Sequence, residues 1–244
     1  MRSYGLIGFP LTHSFSKKYF TDKIEREGIS EAFFDLFPLN TIEDFPALLS
    51  SHPTLKGIAV TIPYKEQVLQ YVTHLSEEVK QIGAANCIRI KGDELTAHNT
   101  DIIGFEKSFV KHLKPNHTKA LLLGSGGASK AVQYVLQKLG IDFLLVSRNK
   151  SPNHIQYAQI TEAIIREYPL IINTSPLGMS PNENTCPDLP YNLLTAENYL
   201  YDLVYAPAKT LFLQKGEEQG AAIENGFQML IIQAEENWRI WNEA

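Results

Sequence analysis

Short apolar runs alternate with amphipathic stretches along the whole chain, and this alternation limits the fold more than any other feature. The short apolar runs read as strands. Stretches with apolar residues at spacings of three and four read as helices. The strands expected on this basis are Ser3–Gly8, Ala32–Phe37, Gly57–Ile62, Asn86–Ile90, Leu121–Gly124, Phe143–Val146, Ile171–Asn173 and Leu200–Val204. The expected helices are Lys17–Glu27, Ile42–Leu49, Lys65–Val72, Ile103–His112, Ser129–Leu139, Thr161–Glu167, Thr210–Gln219 and Phe227–Trp241. Strand and helix in turn build βαβ units, so the class is α/β with mainly parallel sheets. The sequence has no internal repeat and no low-complexity tract.

A chain of 244 residues suits one large domain or two modest ones. A boundary falls between Thr100 and Pro115, where a second strand–turn–helix pattern begins. The last helix carries Phe227, Leu230, Ile231, Ala234, Trp238 and Trp241 at helical spacing and must dock, on either the first or the second domain. A formal net charge of -5 leaves no basic excess for nucleic acid phosphates. No run approaches the ~20 apolar residues of a bilayer span, and the opening residues lack a secretory apolar segment. Two distant cysteines, Cys87 and Cys186, have no zinc-ligand spacing and read as small buried hydrophobes. No metal site is expected, and a reducing cytoplasm is the default location.

LLLGSGGASKAVQYVL (Leu121–Leu136) is the clearest local motif. An apolar strand ends at Gly124, small residues Ser125, Gly126, Gly127 and Ala128 follow, and an apolar-periodic helix starts. Glycines at such a turn let backbone approach a pyrophosphate, which settles on the helix N-terminal amides. The motif departs from GxGxxG because Ser129 stands in the third glycine's place, and a plain glycine-rich βα turn is the other reading. The next strand ends in SRNK (Ser147–Lys150), about where NAD enzymes place an acid for the ribose 2′-hydroxyl. Arg148 and Lys150 stand there instead, and a guanidinium favours a 2′-phosphate by charge and by its forked donors. NADP is read over NAD, against the alternative of two solvated basic residues.

The first half carries polar clusters at strand ends. PLTHSFS (Pro10–Ser16) puts Ser14 and Ser16 where they can cap a helix or bind a carboxylate at its N-terminus; His13 alone says nothing. VTIPYKE (Val60–Glu66) ends a strand at Pro63 and presents Thr61 and Lys65 at its carboxyl end, where open α/β sheets take ligands. NCI (Asn86–Ile88) adds an amide, and HNTDIIGF (His98–Phe105) adds Asn99, Thr100 and Asp101 ahead of a helix. Each cluster alone would be a cap or turn.

Together, GFPLTHSFS, VTIPYK, GAANCI, HNTDIIGF, GSGGAS, NTSPLGM, YDLVYAP and NGFQMLIIQA, in this order, resemble the shikimate dehydrogenase family over nearly the whole length. The resemblance implies two α/β domains: a substrate domain of residues 1–101 with the C-terminal helix 226–244, and a Rossmann-type NADP domain of residues 102–225. It implies reversible reduction of 3-dehydroshikimate to shikimate with NADPH, within aromatic amino-acid biosynthesis. By position, Ser14 and Ser16 match the serines that hold the substrate carboxylate. Thr61, Asn86, Asp101 and Gln233 match residues on the ring hydroxyls, and Tyr205 matches a substrate-side tyrosine. Lys65 matches the catalytic lysine, with Asp101 as its partner. Gly124 to Ala128 match the pyrophosphate loop, Arg148 the 2′-phosphate site, and Leu203 and Gly226 the nicotinamide side.

Three departures stand out. SRNKSP lacks the second arginine of the family's NRTxxR; Gln228 replaces a glycine in the final block; and Ser151–Ile160 is trimmed. Rival functions are a dehydrogenase that also takes quinate or NAD, and a non-catalytic NADP-binding regulatory paralogue. The expected partner is a small molecule, with neither nucleic acid nor membrane, and the assembly is a monomer or homodimer.

Overall fold

A computed structural model describes residues 1–11, 14–148 and 151–243 of the chain. Its residues cluster into two compact units, Met1–Thr100 with Gln233–Ala244, and Asp101–Ile232.

The first unit runs β1 (Arg2–Gly8), α1 (Phe15–Arg26), β2 (Ala32–Pro38), α2 (Phe45–Ser51), β3 (Leu55–Val60), β4 (His74–Leu75), α3 (Glu77–Ile82), β5 (Cys87–Lys91) and β6 (Glu94–His98). The strands form one sheet in the order β2-β1-β3-β5-β6-β4. β1 pairs parallel with β2 and β3, but β5 is antiparallel to both β3 and β6, so the sheet is mixed. Side chains alternate across it with period two. Ile58 and Val60 of β3 enter a core with Ile7, Phe45, Val68 and Val79. Ala59 joins Tyr4, Phe20, Phe34, Cys87 and Trp241 on the other face. Cys87 is fully buried, and burial drives its thiol pKa far up, leaving an inert packing residue. The half-buried Cys186 likewise packs against a core cluster, in the second unit.

One expectation needs correction here. Lys65–Val72 is not an α-helix: Thr61–Tyr64 closes a turn and Gln67–Tyr71 is a short 3-10 helix. Pro63 interrupts the approach, and Val68 and the preceding Tyr64 are drawn into the core, so tertiary burial overrides a weak helical period. The strand β6 was also missed, hidden in the polar ELTAH, where Ala97 is its one fully buried apolar side chain.

The second unit runs α4 (Asp101–Phe109), β7 (Lys119–Leu123), α5 (Gly127–Lys138), β8 (Asp142–Val146), β9 (His154–Ile155), α6 (Glu162–Glu167), β10 (Leu170–Asn173), β11 (Tyr199–Asp202), α7 (Leu211–Glu217) and β12 (Ala222–Glu224), and α8 (Phe227–Asn242) begins in it. All its strand pairs are parallel, in the order β12-β11-β10-β7-β8-β9. Numbered within the unit this is the 3-2-1-4-5-6 order of doubly wound dinucleotide folds. Leu121, Leu123, Ile171 and Leu200 face α7 residues Phe212 and Leu213, while Tyr199 and Tyr201 meet Phe105 and Phe109 of α4. The C-terminal part of α8 belongs to the first unit, where Trp238 and Trp241 make stacked and tilted ring contacts with Tyr4 and Phe20. Among the described residues no helix is long and apolar enough to cross a membrane.

Candidate active site

In the first unit the chain leaves β1 toward β2 on one side and returns as β3 on the other. The strand ends between β1 and β3 are therefore a topological switch point, where open α/β sheets receive ligands. A Cβ on Gly8 would stand 2.4 Å from Thr61 Cγ2, so the two exits run close together. Phe9 N–H donates to the Ile62 carbonyl at 3.1 Å and Thr61 N–H to that of Ile7 at 3.0 Å. Ser14 is the N-cap of α1, its hydroxyl accepting from Lys17 N–H at 3.3 Å, and Ser16 lies in the first turn; both are half-buried. His13 lies outside the described residues.

Lys65 is held through its backbone. Tyr64 N–H closes the turn onto the Thr61 carbonyl at 2.9 Å, and the Lys65 carbonyl accepts from Ala85 N–H at 2.8 Å. Tyr64 itself is buried and its hydroxyl donates to the Leu39 carbonyl at 2.6 Å. The lysine side chain, half-buried, thus leaves a backbone fixed on both sides.

Asn86 follows that anchor and heads a buried amide group. Its Oδ1 accepts from Thr100 N–H at 2.7 Å, and its Nδ2 donates to Gln233 Oε1 at 3.5 Å. Asn237, one helical turn beyond Gln233, donates from Nδ2 to the same oxygen at 3.3 Å, and its Oδ1 accepts from the Thr100 hydroxyl at 2.7 Å. Thr61, Lys65, Asn86 and Gln233 therefore belong to one unit, three of them on or beside β3 and β5. Sequence reasoning missed Asn237; its spacing from Gln233 on α8 was the available signal. Asn99 donates to the Ala84 carbonyl at 2.9 Å, while its buried Oδ1 has no hydrogen-bond partner among the described residues. Asp101 is the first residue of α4 and is buried, in the second unit.

In the second unit β7 ends into Gly124, whose φ of +108° disfavours any side chain. A Cβ there would also stand 2.8 Å from Thr174 Oγ1, across the switch point between β7 and β10. Gly126 is the N-cap of α5, with no side-chain cap to its amides. A Cβ on Gly126 or Gly127 would meet nothing within 4 Å, and Ser125 is exposed. The turn and Ala128 thus leave room for a phosphate to reach the positive end of a 12-residue helix. Beyond β8, Arg148 is exposed and its carbonyl accepts from Gln156 Nε2 at 3.2 Å. An open pocket of about 490 Å³ follows, lined by Ser151, Pro152, His154, Gln156 and Gln159. Lys150 lies outside the described residues.

Leu203 and Gly226 meet: a Cβ on Gly226 would stand 2.1 Å from the Leu203 carbonyl oxygen, so only glycine fits. Tyr205 is half-buried, and burial raises its hydroxyl pKa. A glycine turn that a Cβ would spoil, uncapped helix amides and a guanidinium after the second strand fit a dinucleotide phosphate. Among the described residues no cluster of three or more His, Cys, Asp or Glu stands ready for a metal.

A doubly wound unit with an open glycine turn, joined to an α/β unit with a fixed lysine among hydroxyls and amides, defines a two-unit α/β protein of the dinucleotide-binding class. Residues 6–88 match the family model of the shikimate dehydrogenase substrate binding domain. The NADP(+) shikimate dehydrogenase of Caldicellulosiruptor bescii is 33% identical over 99% of this chain and 89% of its own. Shikimate dehydrogenase from Aquifex aeolicus superposes with a TM-score of 0.88 at 30% identity, covering 100% of this chain and 93% of that one. The Thermus thermophilus enzyme, solved with NADP(H) and shikimate, gives 0.87 at 27% identity, covering 100% of this chain and 94% of that one. The chain belongs to the shikimate dehydrogenase family.

Proposed function

We propose that this chain catalyses the reversible NADPH-dependent reduction of 3-dehydroshikimate to shikimate. The observation that carries the reading is Lys65, fixed through its backbone at the carboxyl end of β3 in a family whose relatives bear this activity in their names. Carbonyl reduction needs a hydride on carbon and a proton on oxygen. NADPH, when bound, supplies the hydride. Lys65, as an ammonium, donates the proton and stabilises the developing alkoxide; in reverse the neutral amine accepts the alcohol proton. Asp101 orients the lysine and the reacting hydroxyl. Ser14 and Ser16 hold the substrate carboxylate, helped by the N-terminus of α1. Thr61, Asn86 and Gln233 take ring hydroxyls, and Tyr205 closes the substrate side.

The turn Gly124–Ala128 holds the pyrophosphate, Leu203 and Gly226 flank the nicotinamide, and Arg148 with the adjoining pocket takes the adenosine 2′-phosphate. Use of NAD beside NADP is a second reading, favoured by one observation: SRNKSP lacks the second arginine of the family's NRTxxR. A net charge of -5 fits a small-molecule partner rather than nucleic acid, and free cysteines fit a reducing cytoplasm. The assembly in this reading is a monomer or homodimer.

The test is oxidation of shikimate and of quinate by the purified protein, with NADP+ and with NAD+, followed by dihydronicotinamide absorbance. Shikimate with NADP+ should be the fastest pair. Absence of turnover with every pair, despite bound NADP+, would favour a regulatory protein instead.

A further inference from the structure

Asp202, the last residue of β11, has no part in the reading above, yet it is fully buried. Its Oδ1 accepts from Asn173 Nδ2 and from Val204 N–H, both at 3.0 Å. Its Oδ2 accepts from the Thr210 hydroxyl at 2.6 Å. Burial pushes its pKa up to about 6, against the pull of these three bonds. A buried carboxylate served only by neutral donors is an expensive way to fill a core.

Each bond leads to a loop at the carboxyl ends of the central strands. Val204 N–H belongs to the segment that follows β11, which begins at Leu203, where Gly226 packs on the carbonyl. Asn173 ends β10, and its Oδ1 accepts from Ser175 N–H at 3.1 Å and the Ser175 hydroxyl at 2.6 Å, shaping the loop after β10. The next residue in that strand exit, Thr174, closes on Gly124 of the glycine turn. The Asn173 carbonyl also accepts from Leu203 N–H at 3.0 Å. Thr210 caps α7, accepting from Leu213 N–H at 3.4 Å.

We propose that Asp202 is a positioning residue for the nicotinamide half of the cofactor: its carboxylate fixes the Thr174–Ser175 and Leu203–Tyr205 loops at the spacing the crevice of this unit requires. This rests on the NADP-dependent reading above. The adenosine half, at Arg148 beyond β8, lies outside the network. An amide at this position keeps the oxygen facing Asn173 and Val204, and Thr210 can turn to accept from the new NH2. An alanine keeps none of these bonds.

The experiment compares D202A, D202N and N173A with wild type in shikimate oxidation and in calorimetric titration with NADP+ and with adenosine 2′,5′-bisphosphate. In D202A, and in N173A, which cuts the same network from β10, NADP+ affinity should fall about tenfold or more, as expected for losing buried orienting bonds. Bisphosphate affinity should stay within about twofold, and D202N should recover most of the loss. NADP+ affinity unchanged in D202A and N173A overturns the proposal. So does equal loss of both ligands, or a D202N as impaired as D202A, since a merely structural role gives no such split. A D202A that fails to fold leaves N173A and D202N to decide by the same criteria. Wild type that neither binds NADP+ nor oxidises shikimate sinks the functional reading and this inference with it; a working wild type without the split sinks this inference alone.

Discussion

Lys65 owes its direction to its neighbours. Tyr64 sinks into the core and bonds Leu39, and Ala85 bonds the lysine's own carbonyl, so the ammonium leaves a backbone with little freedom. Fixed aim is what proton transfer needs, because help from a positioned acid is worth ~10²–10⁴-fold. Lys65→Ala should therefore lower kcat about 100-fold or more while substrate affinity weakens modestly. Steady-state kinetics beside substrate titration checks this, and a kcat within about tenfold of wild type would remove the lysine from the chemistry. At this scale Lys65 and Asn86 stood out as candidates because they sit in recognisable blocks at strand ends, and Gln233 because its block lies on the last helix. Asn237 and Asp202 escaped because their roles arise from partners far along the chain, Thr100 and Asn173, which only the folded chain brings near.

At the scale of elements, α8 is seated against β3 by an absence. A Cβ on Gly57 would stand 2.1 Å from Trp241 Cγ, so the indole lies on bare backbone. Lys23 of α1 adds a polar clasp, its buried ammonium bonding Glu235 Oε2 and Glu27 Oε1, each at 2.9 Å. Burial pulls the Lys23 pKa down, but the hydrogen bonds to Glu235 and Glu27 outweigh it and hold it high. Gly57→Ala should destabilise the first unit by about 1–3 kcal/mol, the usual range for overpacking. G57A/W241L should regain part of it, as read by chemical denaturation.

The strands β1, β2, β3, β7 and β10 were legible because each is a dense apolar run. α3 was passed over although Ser76 caps it and Gly83 ends it at a φ of +69°, since Val79 and Ile82 are the only apolar residues in EEVKQI. β6 and β12 were lost because an edge or antiparallel strand needs few buried side chains.

At the scale of the molecule, stability against pH sums opposing groups from both units. Burial, with Arg89 adding to it, lowers the pKa of His98; burial also lowers that of His117, more than its bond to the Glu197 carbonyl raises it. Both histidines bind fewer protons folded than unfolded, so their contribution is lost as pH falls through and below their ordinary value of ~6.5. Asp202 has the opposite sign. Its pKa is up at about 6, so the folded chain takes a proton before the unfolded one, and stability rises as pH falls. D202N lacks that compensation. Its Tm should fall more steeply than that of wild type between about pH 7 and 5, in parallel scans.

The division into units has a consequence for biosynthesis. The first unit is completed only by Gln233–Ala244, although most of it is made first. Tyr4, Phe20 and Phe34 emerge from the ribosome long before the indoles of Trp238 and Trp241 that cover them. The Asp101–Ile232 unit has all its strands in hand by then, so it matures ahead of the part translated earlier. Nascent chains stalled before α8 would carry an unsealed aromatic face, an evident station for a chaperone.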